Sequence, residues 1–217
     1  MMAIRGQGEP WRGLGTAGVR LVVALTCALT LGSCINENIT ASRSSSILVI
    51  ERIGAASGGT NDDPIPTFLE SDVLTNGSVF DDIGRVTTRL ALKDPGTPES
   101  PTSPTSANFV TVTRYRVVYQ RTDGRNAPGV DVPFPMDGAV TFTVVSGPQT
   151  AEFILVRASA KLEQPLRPLV GGGGAIIINT LAEVTFYGKD QTGAEVIATG
   201  TITVNFADWA DPDSTSQ

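Results

Sequence analysis

Histidine is absent from all 217 residues, and cysteine occurs only twice, as Cys27 and Cys34. Everything beyond Cys34 therefore lacks a thiol, a disulfide and an imidazole. Ser-His-Asp and Cys-His nucleophilic catalysis, zinc centres of the usual kind, haem held by histidine or cysteine, and thiol redox chemistry are all excluded. The catalysts left are carboxylates, a Ser-Lys pair, or bound calcium or magnesium. Positive charge is also short, with 16 Lys+Arg against 22 Asp+Glu and a net charge of −6. Arg5, Arg12 and Arg20 precede Cys34 against the single acid Glu9, so the remainder is more acidic still. Such a body does not invite nucleic acid or anionic lipid. Helical periodicity is almost missing, and no apolar run approaches the ~20 residues that span a bilayer.

What is present begins at the amino terminus. The three arginines lead into an apolar run, residues 21–31, and then into Leu31-Gly32-Ser33-Cys34. A positive segment, an apolar segment about half a span long and a small-residue site make a secretion signal. Ending it on Leu-Gly-Ser-Cys resembles the lipobox of bacterial lipoproteins. The resemblance implies that Cys34 takes a diacylglycerol on its sulfur, that the chain is cut before it, and that the new amino terminus is acylated, with palmitate as the expected chain. Several acyl chains, each contributing about 0.8 kcal/mol per buried methylene, hold far more firmly than one myristoyl group. The alternative is an ordinary secreted protein with an incidental Cys34. Cys27 is the poorer lipid site, because leucine is missing from the third position before it. Ile35, rather than aspartate, follows the cysteine, which by the same resemblance favours the outer over the inner membrane.

Residues 34–46 are polar and serine-rich, with too little apolar surface to fold, and read as a flexible tether. From residue 47 the chain reads as strands. Residues 47–53 are dense in β-branched and aliphatic types and suit a strand apolar on both faces, and residues 84–93 alternate, with Val86, Thr88, Leu90 and Leu92 on one face. Between them lie turn signals and two short apolar pieces, Phe68-Leu69 and Val73-Leu74, expected across an open edge. Residues 94–106 carry proline every few positions and nothing apolar, so no ladder or core is expected there; a long surface loop within one domain is preferred over a domain linker. Residues 108–121 form a long strand whose phase shifts between Val112 and Tyr115, which predicts a bulge near Thr113. Residues 139–146 turn Val140, Phe142 and Val144 inward. Residues 152–159 read as a strand, with a short helix over 157–163 as the competing reading. After Gly171-Gly172-Gly173-Gly174 comes the strongest hairpin, with Ile178, Ala182, Val184 and Phe186 facing inward on one arm. Val196, Ala198, Ile202, Val204 and Phe206 do so on the other, and Asp190-Gln191-Thr192-Gly193 turns between them.

About seven strands with almost no helix predict an all-β fold of two packed antiparallel sheets. The pattern resembles the immunoglobulin-like β-sandwiches of bacterial surface proteins. The expected organisation is a signal peptide over 1–33, a tether over 34–46, the sandwich over 47–209 and a polar tail over 210–217.

Candidate chemistry is sparse. The tetraglycine is followed by a strand where a phosphate loop needs a helix amino terminus and usually a lysine. Carboxylate clusters at Asp62 and Asp63 and at Asp81 and Asp82 offer hard oxygen ligands for calcium, without the spacing of a known calcium loop; the alternative is solvated turn residues. Asp208, Asp211 and Asp213 make a third cluster. Glu152, Glu163, Glu183 and Asp190 are the acids from which a hydrolytic pair would be drawn. Arg114 and Arg116, with Arg121 and Arg125, form a candidate basic patch for an acidic partner, or are satisfied by neighbouring carboxylates. Trp209 either closes the core or stands out as a binding aromatic, and closure is favoured. The expectation is a lipid-anchored envelope protein with a non-catalytic binding or scaffolding module. It would need no cofactor, and would meet the membrane through Cys34 and an envelope protein or glycan through its surface. An exported carbohydrate- or calcium-binding domain is the alternative, followed by a carboxylate hydrolase.

Overall fold

The computed structural model describes residues 43–59, 65–209 and 211, all within the compact unit Glu37–Gln217. The signal peptide, Cys34, most of the tether, Asp62, Asp63 and Asp213 lie outside the described residues.

The fold is an all-β sandwich. Its strands are β1 (Ser46–Ala56), β2 (Phe68–Asp72), β3 (Asp82–Leu92), β4 (Gly96–Thr97), β5 (Ser100–Pro101), β6 (Val110–Gln120), β7 (Met136–Val144), β8 (Gln149–Val156), β9 (Ile178–Asp190) and β10 (Glu195–Ala207). One sheet has the order β1-β3-β8 and the other β2-β10-β9-β6-β7, while β4-β5 is a separate small hairpin in the proline-rich loop; the expected absence of a ladder there is corrected, because Gly96 takes a positive φ and Gly96 and Thr97 pair with Pro101 and Ser100. The seven long strands pair antiparallel, as alternation over their lengths predicts. The short β2 differs, adding to the edge of the larger sheet parallel to β10. It holds Phe68-Leu69, the piece expected at an open edge.

Alternation decides what is buried. Val86, Thr88 and Leu90 of β3 face the core, as do Val184 and Phe186 of β9 and Val204 and Phe206 of β10. Each such apolar side chain contributes about 1.5–3 kcal/mol on burial. At the centre Phe153 from the smaller sheet meets Tyr115 and Phe186 from the larger, edge to face, at centroid distances of 5.1 and 5.3 Å. Gly84 makes room for it, since a Cβ there would lie 2.5 Å from the Phe153 ring. A second link between the sheets is the Tyr119 hydroxyl, which donates to the Leu155 carbonyl at 2.6 Å. On the outer faces, hydroxyl pairs tie neighbouring strands, Thr111 with Thr143 at 2.9 Å and Thr185 with Thr199 at 3.1 Å.

The bulge falls where the phase shift places it. The pairing of β6 with both neighbours slips between Val112 and Arg114, leaving Thr113 as the extra residue. Val110 and Val112 before it, and Tyr115, Val117 and Tyr119 after it, are thereby all buried.

Strand β8 ends earlier than the expected residue 159. Arg157 is extended, and a single helical turn, α1 (Ala158–Lys161), follows. The Asp81 carboxylate accepts the Ala158 N–H at 2.5 Å, which offers the backbone a reason to turn there. The strand and helix readings of this stretch are each right for part of it.

Strand direction gives the sandwich two distinct ends. The chain enters β1 at Ser46, beside Leu92 and Asn108. This near end also carries the proline-rich loop and the turns at 145–148 and 191–194. The far end carries the connections β1–β2, β2–β3, β6–β7 and β8–β9 and the carboxyl-terminal segment.

Candidate binding surfaces

The two central carboxylates of the candidate calcium pair face different ways. Asp82 is fully buried: Oδ1 accepts from Lys161 Nζ at 2.6 Å and from the Gly58 N–H at 2.8 Å, while Oδ2 accepts from the Ser71 hydroxyl at 2.6 Å. Burial pushes its carboxyl above the ordinary range, although the Lys161 ammonium and the hydrogen bonds pull the other way. Asp81 is exposed and caps α1. No group of three or more acidic, cysteine or histidine side chains is placed to hold a metal among the described residues.

The acids considered for hydrolysis are dispersed. Glu152 pairs with Arg85 at 2.7 Å on the outer face of the smaller sheet. Glu183 is half-buried on the outer side of β9, Glu163 is exposed at the far end, and Asp190 sits in the near-end hairpin turn. Asp190 accepts from the Thr192 N–H and hydroxyl and the Ala194 N–H at 2.9, 2.6 and 3.0 Å. Burial pushes its carboxyl up, but hydrogen bonds from Ser44, Thr192 and Ala194 outweigh this and hold it below the usual range.

The four arginines divide into two pairs. Arg121 and Arg125 both clamp Asp123 in the β6–β7 turn, at 2.6 and 3.0 Å. Arg114 and Arg116 project from the outer face of the larger sheet beside Asp137. Arg116 takes that carboxylate at 2.7 Å, whereas Arg114 stands 3.9 Å from it and instead lies 4.1 Å over the Tyr187 ring.

Arg114 also lines a groove of about 630 Å³ at the near end of this face, with Thr113, Tyr187, Lys189, Gln191 and Glu195. Small-molecule sites run from ~300 to 1,000 Å³. The bulge builds this groove by turning Arg114 outward. Gly188 permits it, because a Cβ there would lie 2.6 Å from the Thr111 carbonyl oxygen and 3.0 Å from the Val112 Cα. Gln191 Nε2 donates to Thr111 Oγ1 at 3.2 Å, which fixes the amide at the rim. Of these residues, the sequence marks only Arg114 as a binding candidate. The phase shift at Thr113 and the isolated glycine at 188 in a strand were the available signals for the rest.

At the far end the surface is different. Phe80, Val130, Phe134, Leu162, Val170, Ile176 and Ile177 are exposed in its loops, with Ile176 at 60% and Val130 at 69%. The tetraglycine belongs to the same end, its Gly171 N–H bonded to Asp208 Oδ2 at 2.5 Å. Trp209 is half-buried at this end: its backbone N–H donates to Asp72 Oδ1 at 3.0 Å, its buried indole Nε1 has no hydrogen-bond partner among the described residues, and a Cβ on Gly174 would lie 3.8 Å from the ring.

No protein-family model matches the sequence, and no curated protein is similar to it. No helix among the described residues is long and apolar enough to cross a membrane.

Proposed function

We propose that the chain is an exported lipoprotein, anchored through Cys34, whose sandwich docks another cell-envelope protein by its far-end loops and performs no catalysis. The observation that carries this reading is the distribution of apolar surface. All nine large hydrophobic side chains exposed among the described residues lie in the far half. Seven are in its loops, and Phe68 and Leu181 both pair with Thr203 toward the far end of the larger sheet. Scattered exposed hydrophobics need no explanation, but their collection at one end marks a contact surface. A chain tethered before Ser46 presents that same end away from its anchor. Ile35 after the lipidated cysteine favours the outer membrane.

Two measurements test the reading in intact cells. Metabolic labelling with a fatty-acid analogue should mark the native chain and not Cys34→Ala. Photo-crosslinkers at Ile176 and Phe134 should give one common protein adduct that a crosslinker at Thr192, at the near end, does not give. An unlabelled native chain overturns the anchor, and adducts that do not differ between the ends overturn the contact surface.

A further inference from the structure

We propose that the groove beside the β6 bulge binds a neutral saccharide. This does not rest on the protein contact assigned to the far loops, because the groove lies at the opposite end and on a sheet face.

Its charge excludes a simple ion site. Arg114 and Lys189 are matched by Glu195 and Asp190, so the lining carries two charges of each sign and no net field to draw a cation or an anion. What it does offer is a dense alternation of donors and acceptors. The planar guanidinium of Arg114, the amide of Gln191, the carboxylate of Glu195 and the hydroxyl of Thr113 lie around one opening. Planar groups of this kind each reach two adjacent hydroxyls at once, which is the geometry a vicinal diol presents. Ile197 and the edge of the Tyr187 ring left uncovered by Arg114 add apolar lining that suits the C–H face of a sugar ring.

Two of the polar groups are held in place before any ligand arrives. Arg114 is stacked on Tyr187 and keeps only a long 3.9 Å ion pair with Asp137, which Arg116 holds at 2.7 Å, so its guanidinium is oriented while the side chain remains 55% exposed. Gln191 is held by Thr111, which in turn is held by Thr143. Side chains ordered in advance lose less rotamer freedom on binding, and that favours affinity. The size of the groove suits a short oligosaccharide better than a single small ion.

The test uses the full-length chain in detergent and a panel of neutral gluco-, manno-, xylo- and chito-oligosaccharides beside a uronate oligomer. Binding is followed by calorimetry and by saturation transfer from protein to sugar. At least one neutral oligosaccharide should bind, and Arg114→Ala and Gln191→Ala should each weaken it about tenfold or more without lowering the melting temperature. Arg114→Lys should weaken it as well, since it keeps the charge but loses the plane. Thr150→Ala, on the outer face of the other sheet, should leave it unchanged. The proposal is overturned if no neutral sugar binds at millimolar concentration, if only the uronate binds, or if Arg114→Ala and Gln191→Ala both bind as the native chain does. Because Gln191 is in an exposed turn, its variant keeps the test valid should the Arg114 change disturb folding.

Discussion

Lys161 Nζ lies 2.6 Å from Asp82 Oδ1 in a place where neither side chain reaches solvent, 1% and 0% exposed. The contact ties the helical turn after β8 to the first residue of β3, and Gly58 and Ser71 complete it from the β1–β2 connection and from β2. Three far-end segments thus converge on a carboxylate carried by a fourth. Such a pair adds little over an apolar replacement but is costly to break from one side.

Asp82→Ala should therefore lower stability by about 3–5 kcal/mol, since it strands a buried ammonium. Combining Asp82→Leu with Lys161→Met should restore part of the loss. Recovery stays incomplete because the Gly58 N–H and the Ser71 hydroxyl also lose their acceptor. Urea unfolding of the three chains checks this. A single variant no weaker than a surface substitution would show that the pair is not sealed.

Removing the lysine alone should give a pH-dependent result. The folded Asp82 carboxyl titrates above its ordinary value because burial disfavours its charge. A raised carboxyl binds its proton more tightly in the native state, so its contribution to stability is full below the unfolded value and is lost as pH rises through the folded one. Without the ammonium the folded value climbs further. The destabilisation caused by Lys161→Met should therefore be smaller near pH ~4.5 than near pH ~7.5. Equal losses at the two pH values would contradict the assignment.

Asp190 should behave in the opposite sense. Hydrogen bonds hold its carboxyl below the usual value despite burial. Its stabilisation is present above the unfolded value and fades as pH falls through the folded one. Asp190→Asn should cost about 1–2 kcal/mol at neutral pH, the difference between charge-assisted and neutral hydrogen bonds in this turn. The gap between variant and native chain should close toward pH ~2, as melting curves across that range would reveal.

Gly188→Ala should be destabilising by about 1–3 kcal/mol, because its methyl group meets backbone, which cannot swing aside. Gly147→Ala is the control, with nothing within 4 Å of the added carbon. Amide exchange across β6 and β9 should quicken in the first variant and not in the second. Unchanged exchange in Gly188→Ala would mean that the bulge tolerates a side chain.

The order of residues along the chain was enough to establish the class of the fold, most of its strands and the position of one irregularity. Alternation is a local signal: Val86, Leu90, Val184 and Phe206 are buried because a strand sends every second side chain to one face, whatever it packs against. The bulge at Thr113 was legible for the same reason, as a break in that period. Missing histidine, and cysteine confined to the amino terminus, likewise narrowed the chemistry without any coordinates. Three-dimensional contacts decided the rest. Lys161 finds Asp82 across 79 positions, Arg114 meets Tyr187 only through the shifted pairing of β6 with β9, and β2 joins β10 in a parallel sense that its short run does not encode. Each depends on which strands become neighbours and in which register. That choice is made by the packing of two sheets as a whole, and no single segment contains it.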